Sequence, residues 1–170
     1  MVNSESTMVG VDTPNRALVT EAAAELLRRL QQRHGALMFH QSGGCCDGSS
    51  PMCYPDGDFI VGDRDVLLAV LDVGDGGVPV WISGPQFDAW KHTQLVIDVV
   101  PGRGGGFSLE APEGMRFLSR GRAFTDEENR ALSAVPPVTG ADFERGVRPP
   151  SNGTHVVAEA VDACPVPLKP

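Results

Sequence analysis

No stretch of this sequence comes near the roughly 20 consecutive apolar residues that a membrane-crossing helix requires. Residues 1–15 are polar and carry no signal-peptide core, so they read as a loose leader. The expectation is a cytoplasmic protein with no membrane role. Cations are scarce too: 14 Lys and Arg face 22 Asp and Glu, a net charge of -8. Binding to nucleic acid without sequence preference needs a basic footprint, which excludes that class of partner. Cysteines number only four, and in a reducing compartment structural disulfides are not their expected use; one formed here would be a transient redox pair. There is no internal repeat, and no Ser/His/Asp triad or paired-carboxylate site is legible.

What is present fits one buried domain with trimmings: 170 residues, 41% hydrophobic and 21% charged. Twenty glycines and 14 prolines predict many turns and few long helices. The clearest helix runs from Thr20 to Gly35. Thr20 caps it, Glu21 suits its positive end and Arg33 and His34 its negative end, and Gly35 supplies the left-handed stop. Ala23, Leu26, Leu27 and Leu30 make one apolar stripe that must pack on a sheet. Strands are expected at 37–40, 58–61, 66–71, 78–82, 93–100, 107–110 and 115–118, the best of them Thr93 to Val100 with strict alternation. Ser83 caps a short second helix over 85–91 whose Phe87 and Trp90, with Trp81, read as core.

Beyond Phe124 the pattern decays. Thr125 and Glu128 have capping-box spacing for a short helix, and prolines with isolated valines then read as a weakly ordered tail. The organisation expected is a leader at 1–15, a domain at 16–124 and a tail at 125–170.

The chemistry is concentrated in His40-Gln41-Ser42-Gly43-Gly44-Cys45-Cys46-Asp47-Gly48-Ser49-Ser50-Pro51-Met52-Cys53. Three cysteines and a histidine lie on a backbone loosened by glycine, with almost no apolar surface to bury. Such a segment suits metal capture or thiol chemistry. Seven aspartates against the single Arg64 between Gln41 and Gly76 favour a cation over a phosphate. Thiolates with imidazole suit zinc, iron or copper(I). The candidate ligands are Cys45, Cys46, Cys53, His40 and His92, with zinc or iron the expected metal.

Adjacent cysteines do not readily chelate one tetrahedral ion, so one ligand and one reactive thiol is the other arrangement. The plain alternative is that Cys45 and Cys46 are small buried apolar residues. His40 has the alternative of a hydrogen-bond anchor, and His92 that of a helix C-terminal cation. The Gly102-x-Gly-Gly-Gly turn lacks the helix and Lys-Ser/Thr of a phosphate loop. Arg116, Arg120 and Arg122 form a basic stripe, and Glu110 and Glu113 are acids without a partner the sequence names.

Two resemblances add to this reading. The alanine-rich opening helix, the strand leading to Ser42-Gly43-Gly44-Cys45, and the stretch from Thr93 to Asp98 through Gly105-Gly106-Phe107 to Pro112 resemble the HesB/IscA-like scaffold of A-type iron–sulfur carriers. That likeness implies an α+β fold, a small sandwich of short mixed strands with an N-terminal helix and a second short helix. Those carriers hold iron or a cluster with a late Cys-Gly-Cys; here Phe117 to Phe124 contains no thiol and Cys164 stands alone in the tail, which disfavours an iron–sulfur cluster.

More specific are Phe39 to Cys53 and two later runs, Trp90 to Leu95 and Asp98 to Glu110. On these the chain resembles the bacterial family catalogued as domain of unknown function 779. Members often neighbour aldehyde or alcohol dehydrogenases, which implies an accessory role beside such an enzyme. The alternatives are a cysteine-nucleophile enzyme acting on a reactive small molecule, its thiol acidified by His40 or loop amides, and a non-catalytic interaction module. A homo-oligomer is compatible with any of these.

Overall fold

The structure, a computed structural model, describes residues 13–41, 51–74, 76–103, 108–149, 155–158 and 164–165. In chain order the elements are β1 (Ala17–Thr20), α1 (Glu21–His34), β2 (Leu37–Gln41), β3 (Met52–Pro55), β4 (Val66–Asp72), β5 (Gly77–Ile82), α2 (Gly84–Trp90), β6 (Thr93–Pro101) and β7 (Met115–Ala123). They continue with α3 (Asp126–Ser133), β8 (Val138–Thr139), α4 (Gly140–Glu144), β9 (Val156–Val157) and β10 (Cys164–Pro165). A single 3-10 turn, Ala111–Glu113, leads into β7.

The strands make two mixed five-stranded sheets. Sheet A has the order β10-β7-β6-β1-β9, and sheet B the order β3-β2-β5-β4-β8. In sheet A, β1 lies parallel to both β6 and β9, while β6 and β7 pair antiparallel over nine residues, Thr93 with Ala123 through Pro101 with Met115. In sheet B, β2 is parallel to β5 and antiparallel to β3. This is the α+β architecture of short mixed strands expected from the sequence, with four helices and no closed barrel among the described residues.

The main core is shared by the two sheets and α1. Leu37, Phe39 and Cys53 from sheet B meet Leu95, Ile97 and Phe117 from sheet A, and Ala23, Leu26, Leu27 and Leu30 close it from the helix. Phe39 and Phe117 meet edge-on, with ring centroids 5.0 Å apart. Each fully buried leucine of the helix stripe contributes about 2 kcal/mol relative to exposure. The helix ends are as expected: Thr20 accepts from Ala23 N–H, and Gly35 has φ 83° with its N–H donated to Gln31 O. No helix among the described residues is long and apolar enough to cross a membrane.

Two segments differ from the sequence reading. Residues 58–61 are not a strand: Gly57 turns the chain at φ 101° and Asp58 N–H donates back to Pro55 O at 3.0 Å, so the segment folds over sheet B as a loop. Ser108 to Glu110, expected to be extended, instead form a turn, with Ala111 N–H on Ser108 O at 3.1 Å; Phe107 lies outside the described residues. Past residue 124, the described residues include α3, β8 and α4. Thr125 and Glu128 form the full capping box of α3, and β8 pairs with β4.

Candidate functional site

The cysteine motif is carried by the β2–β3 hairpin. Register pairs His40 with Met52 and Phe39 with Cys53. Alternation along β2 sends Leu37, Phe39 and Gln41 to the core face and Met38 and His40 to the other. Cys53, opposite Phe39, is completely buried in the main core. Burial pushes its thiol well above the ordinary cysteine range, and the nearby Glu110 carboxylate adds to the shift. In this structure the side chain packs as a small apolar residue among Phe39 and its core neighbours. Cys45 and Cys46 lie outside the described residues.

His40 is on the outer face of sheet B. Its Nε2 lies 2.9 Å from Asp65 Oδ2, an oxygen that also accepts from Gly62 N–H at 2.9 Å. Phe59 covers the ring at 4.3 Å between centroids, and Tyr54 stacks on Phe59 at 5.0 Å. The loop at 56–65 is thus what fixes the imidazole: it supplies both the carboxylate and the aromatic cover. A histidine held this way has its ring plane and proton position set by a neighbouring acid.

His92 is elsewhere. It follows α2, and its Nδ1 lies 3.0 Å from Asn129 Oδ1 on α3, while its backbone carbonyl accepts from Phe124 N–H at 2.9 Å. The structure therefore divides the three described candidates among the core, the outer face of sheet B and the α2–β6 junction. Among the described residues, no three His, Cys, Asp or Glu side chains come together as a metal site.

Between the sheets, at the same hairpin, is a buried polar cluster that the sequence reading did not assemble. Cys53 N–H donates to Ser108 Oγ at 2.8 Å, the Ser108 hydroxyl donates to Glu110 Oε1, and Phe117 N–H donates to Glu110 Oε2 at 3.2 Å. Leu109 N–H donates to Cys53 O at 3.0 Å, so the 108–110 turn is stitched to the free side of β3. Two residues further along each strand, Ser119 Oγ donates to Gln41 Oε1 at 2.9 Å, bridging β7 and β2. Glu110 is 1% exposed and Gln41 fully buried. Acid and hydroxyls here satisfy backbone and side-chain donors inside the sandwich, which fixes the separation of the sheets at the hairpin. Two-residue spacing in Ser108-x-Glu110 was the available signal, but it names no partner without knowledge of which strands face each other.

Two members of the arginine stripe are paired within this chain. Arg120 pairs with Asp98 at 2.9 Å, and Arg122 reaches Glu128 at 3.0 Å and Gln94 at 3.0 Å. Glu113 pairs with Arg33.

Comparison with protein-family models matches residues 26–123 to the family described as Domain of unknown function (DUF779). Comparisons with curated proteins and with solved structures find no match. The matched residues hold most of α1, the whole β2–β3 hairpin, the Ser108–Glu110 cluster and β7. They make up more than half of the sequence, and the chain belongs to the DUF779 family.

Proposed function

We propose that this protein is a cytoplasmic accessory to an aldehyde or alcohol oxidoreductase system, carrying a metal ion or a labile thiol site at Cys45 and Cys46 on a HesB-like sandwich. The observation that carries the reading is the burial of Cys53. Its thiol packs in the core, so the thiol chemistry that the motif suits falls to the two adjacent cysteines, written among glycines and serines with almost no apolar neighbours in sequence. His40 enters as the histidine at the base of the hairpin, oriented by Asp65.

The donor chemistry fits a borderline or soft cation: two thiols, an imidazole, and the aspartates at 56, 58, 63 and 65 on the loop covering His40. Zinc or iron bound there would supply a Lewis acid or a deliverable ion. Residues of this chain would hold the ion, keep the thiols deprotonated around it and exclude Cys53 from exchange.

Metal analysis of the full chain, purified without added metal, tests the proposal. Wild type is expected to carry close to one equivalent of zinc or iron, and the Cys45→Ser/Cys46→Ser variant to lose it while keeping its fold. Less than about a tenth of an equivalent in wild type, with no acidic thiol in pH-dependent alkylation, would overturn it.

A further inference from the structure

Sheet B is closed on one side and open on the other. The 108–110 turn is stitched to β3 on the closed side, while β8 covers the outer edge of β4 only at Val66 and Leu67. Which backbone groups of β4 face that open edge follows from β5. Ser83 N–H donates to Gln41 O at 3.2 Å, so Ser83 turns its hydrogen-bonding groups toward β2. Alternation turns those of Trp81 and Pro79 the same way. Val78, Val80 and Ile82 therefore bond to β4 and hold Leu71, Ala69 and Val66, their partners in register. Pro79 agrees: a residue with no N–H stands opposite Val70, at a rung where β4 requires none.

Val70 and Asp72 alternate with those bonded residues, so their N–H and C=O groups point out of the sheet edge. Neither outward set has a hydrogen-bond partner among the described residues. Both residues line a cleft of about 300 Å³, walled by Leu68, Leu132 and Val135. An apolar cleft along an unpaired strand edge fits an extended peptide, whose backbone pairs with the strand while alternate side chains meet the walls.

The chain supplies such a peptide at the cleft itself. Thr13 and Pro14 are part of the lining, so residues 1–12 join the fold beside the open edge. Within them Met8-Val9-Gly10-Val11 is an apolar run with two β-branched residues, whereas Asn3 to Thr7 are polar. At about 3.3 Å per residue, Met8 to Asp12 span the same distance as Leu68 to Asp72. The tether favours this occupant too, because a segment attached beside its site is present at a millimolar effective concentration. A second folded copy would have to bring a whole sheet edge past the segments carrying Leu132 and Val135.

We propose that residues 8–12 add to the outer edge of β4 as a strand, pairing with the N–H and C=O groups of Val70 and closing the cleft. The segment whose polarity reads as a loose leader is on this account a strap along the seam where the two sheets meet. The β4 edge lies apart from the cysteine hairpin, at the other side of sheet B from β3. The strap does not depend on the metal or thiol reading.

Amide hydrogen exchange of the isotope-labelled full chain, read by NMR, is the test. The variant is Val9→Pro/Gly10→Pro, in which one proline faces β4 whichever way the strand is turned. The Val70 amide is expected to exchange at least about tenfold more slowly in wild type than in this variant. Ala69 and Leu71, bonded to β5, are the internal controls and should stay protected in both. Nuclear Overhauser contacts between backbone protons of residues 8–12 and those of Val70 are expected in wild type. They decide should the variant lose the control protection and with it the fold. Equal Val70 exchange in wild type and a folded variant, or absence of those contacts, would overturn the proposal. So would Val70 protection that fades on dilution, which would give the edge to a second copy.

Discussion

His40 and Cys53 occupy neighbouring rungs of the β2–β3 ladder and face opposite sides of sheet B, the one under Phe59 and the other against the main core. The sheet itself separates imidazole from thiol, so no rotamer of either brings them to one ion. Cys53→Ala should therefore leave the number of fast-reacting thiols in the native protein unchanged, and lower it by one in denaturant. Stability should drop by about 1 kcal/mol from the lost packing. A native thiol count that falls by one in the variant would show that Cys53 is reachable after all.

The Ser108–Glu110 cluster makes a second prediction. Glu110 accepts from a hydroxyl and from the Phe117 amide in a place that water does not reach. Glu110→Ala would leave both donors unpaired and open a cavity, at a cost of about 3–5 kcal/mol. Glu110→Gln keeps the volume and one acceptor, so its cost should be nearer 1–2 kcal/mol. Urea midpoints at constant m-value measure both, and equal costs would contradict the hydrogen-bonding pattern described.

Elements whose signals are local were readable from the sequence. Helix α1 announces its own cap, stripe and stop, and the two-residue alternation of β6 survives in nine paired rungs. Ser83 capping α2 and the Thr125–Glu128 box of α3 are likewise self-contained. What failed depends on partners. Residues 58–61 look extended, but Gly57 turns them over sheet B, where Phe59 finds Tyr54 and His40. β7 runs on to Ala123, beyond the expected Leu118, because β6 offers a partner throughout. β1, β8 and β9 have four residues or fewer, too short for periodicity to register. At the candidate site, the hairpin motif was legible as a unit, but the face to which each member points follows from the β2–β3 register.

Gly140 ties α4 to the loop that holds His40. Its N–H donates to Asp65 O at 2.8 Å, and a Cβ there would lie 2.1 Å from the carbonyl oxygen of Gly62, where no flexible side chain can yield. Gly140→Ala must push the 62–65 turn away and loosen the Asp65–His40 contact. The expected loss is about 3 kcal/mol, with a shift of the His40 ring signals in NMR. Wild-type stability with unmoved His40 signals would mean that the close approach is relieved elsewhere.

Asp98 joins β6 to two other strands of sheet A, to β1 through Thr20, which also caps α1, and to β7 through Arg120. Thr20 Oγ1 donates to it at 2.9 Å, Arg120 Nε at 2.9 Å, and its own neighbour Val99 N–H at 2.8 Å. Burial works against the charged form, but the bonds from Val99, Arg120 and Thr20, with the charge on Arg120, outweigh it and hold the carboxyl below the ordinary aspartate range. A depressed folded-state value means that the unfolded chain binds the proton more readily. The stabilisation is accordingly complete above the unfolded value of about 3.9 and is lost as pH falls from there through the folded value. Asp98→Asn should cost about 1–2 kcal/mol at pH 7, and the gap between variant and wild type should narrow steadily below about pH 4. Urea midpoints at pH 7, 4 and 3 give the comparison, and a gap that stays constant over that range would remove Asp98 from the acid sensitivity of the fold.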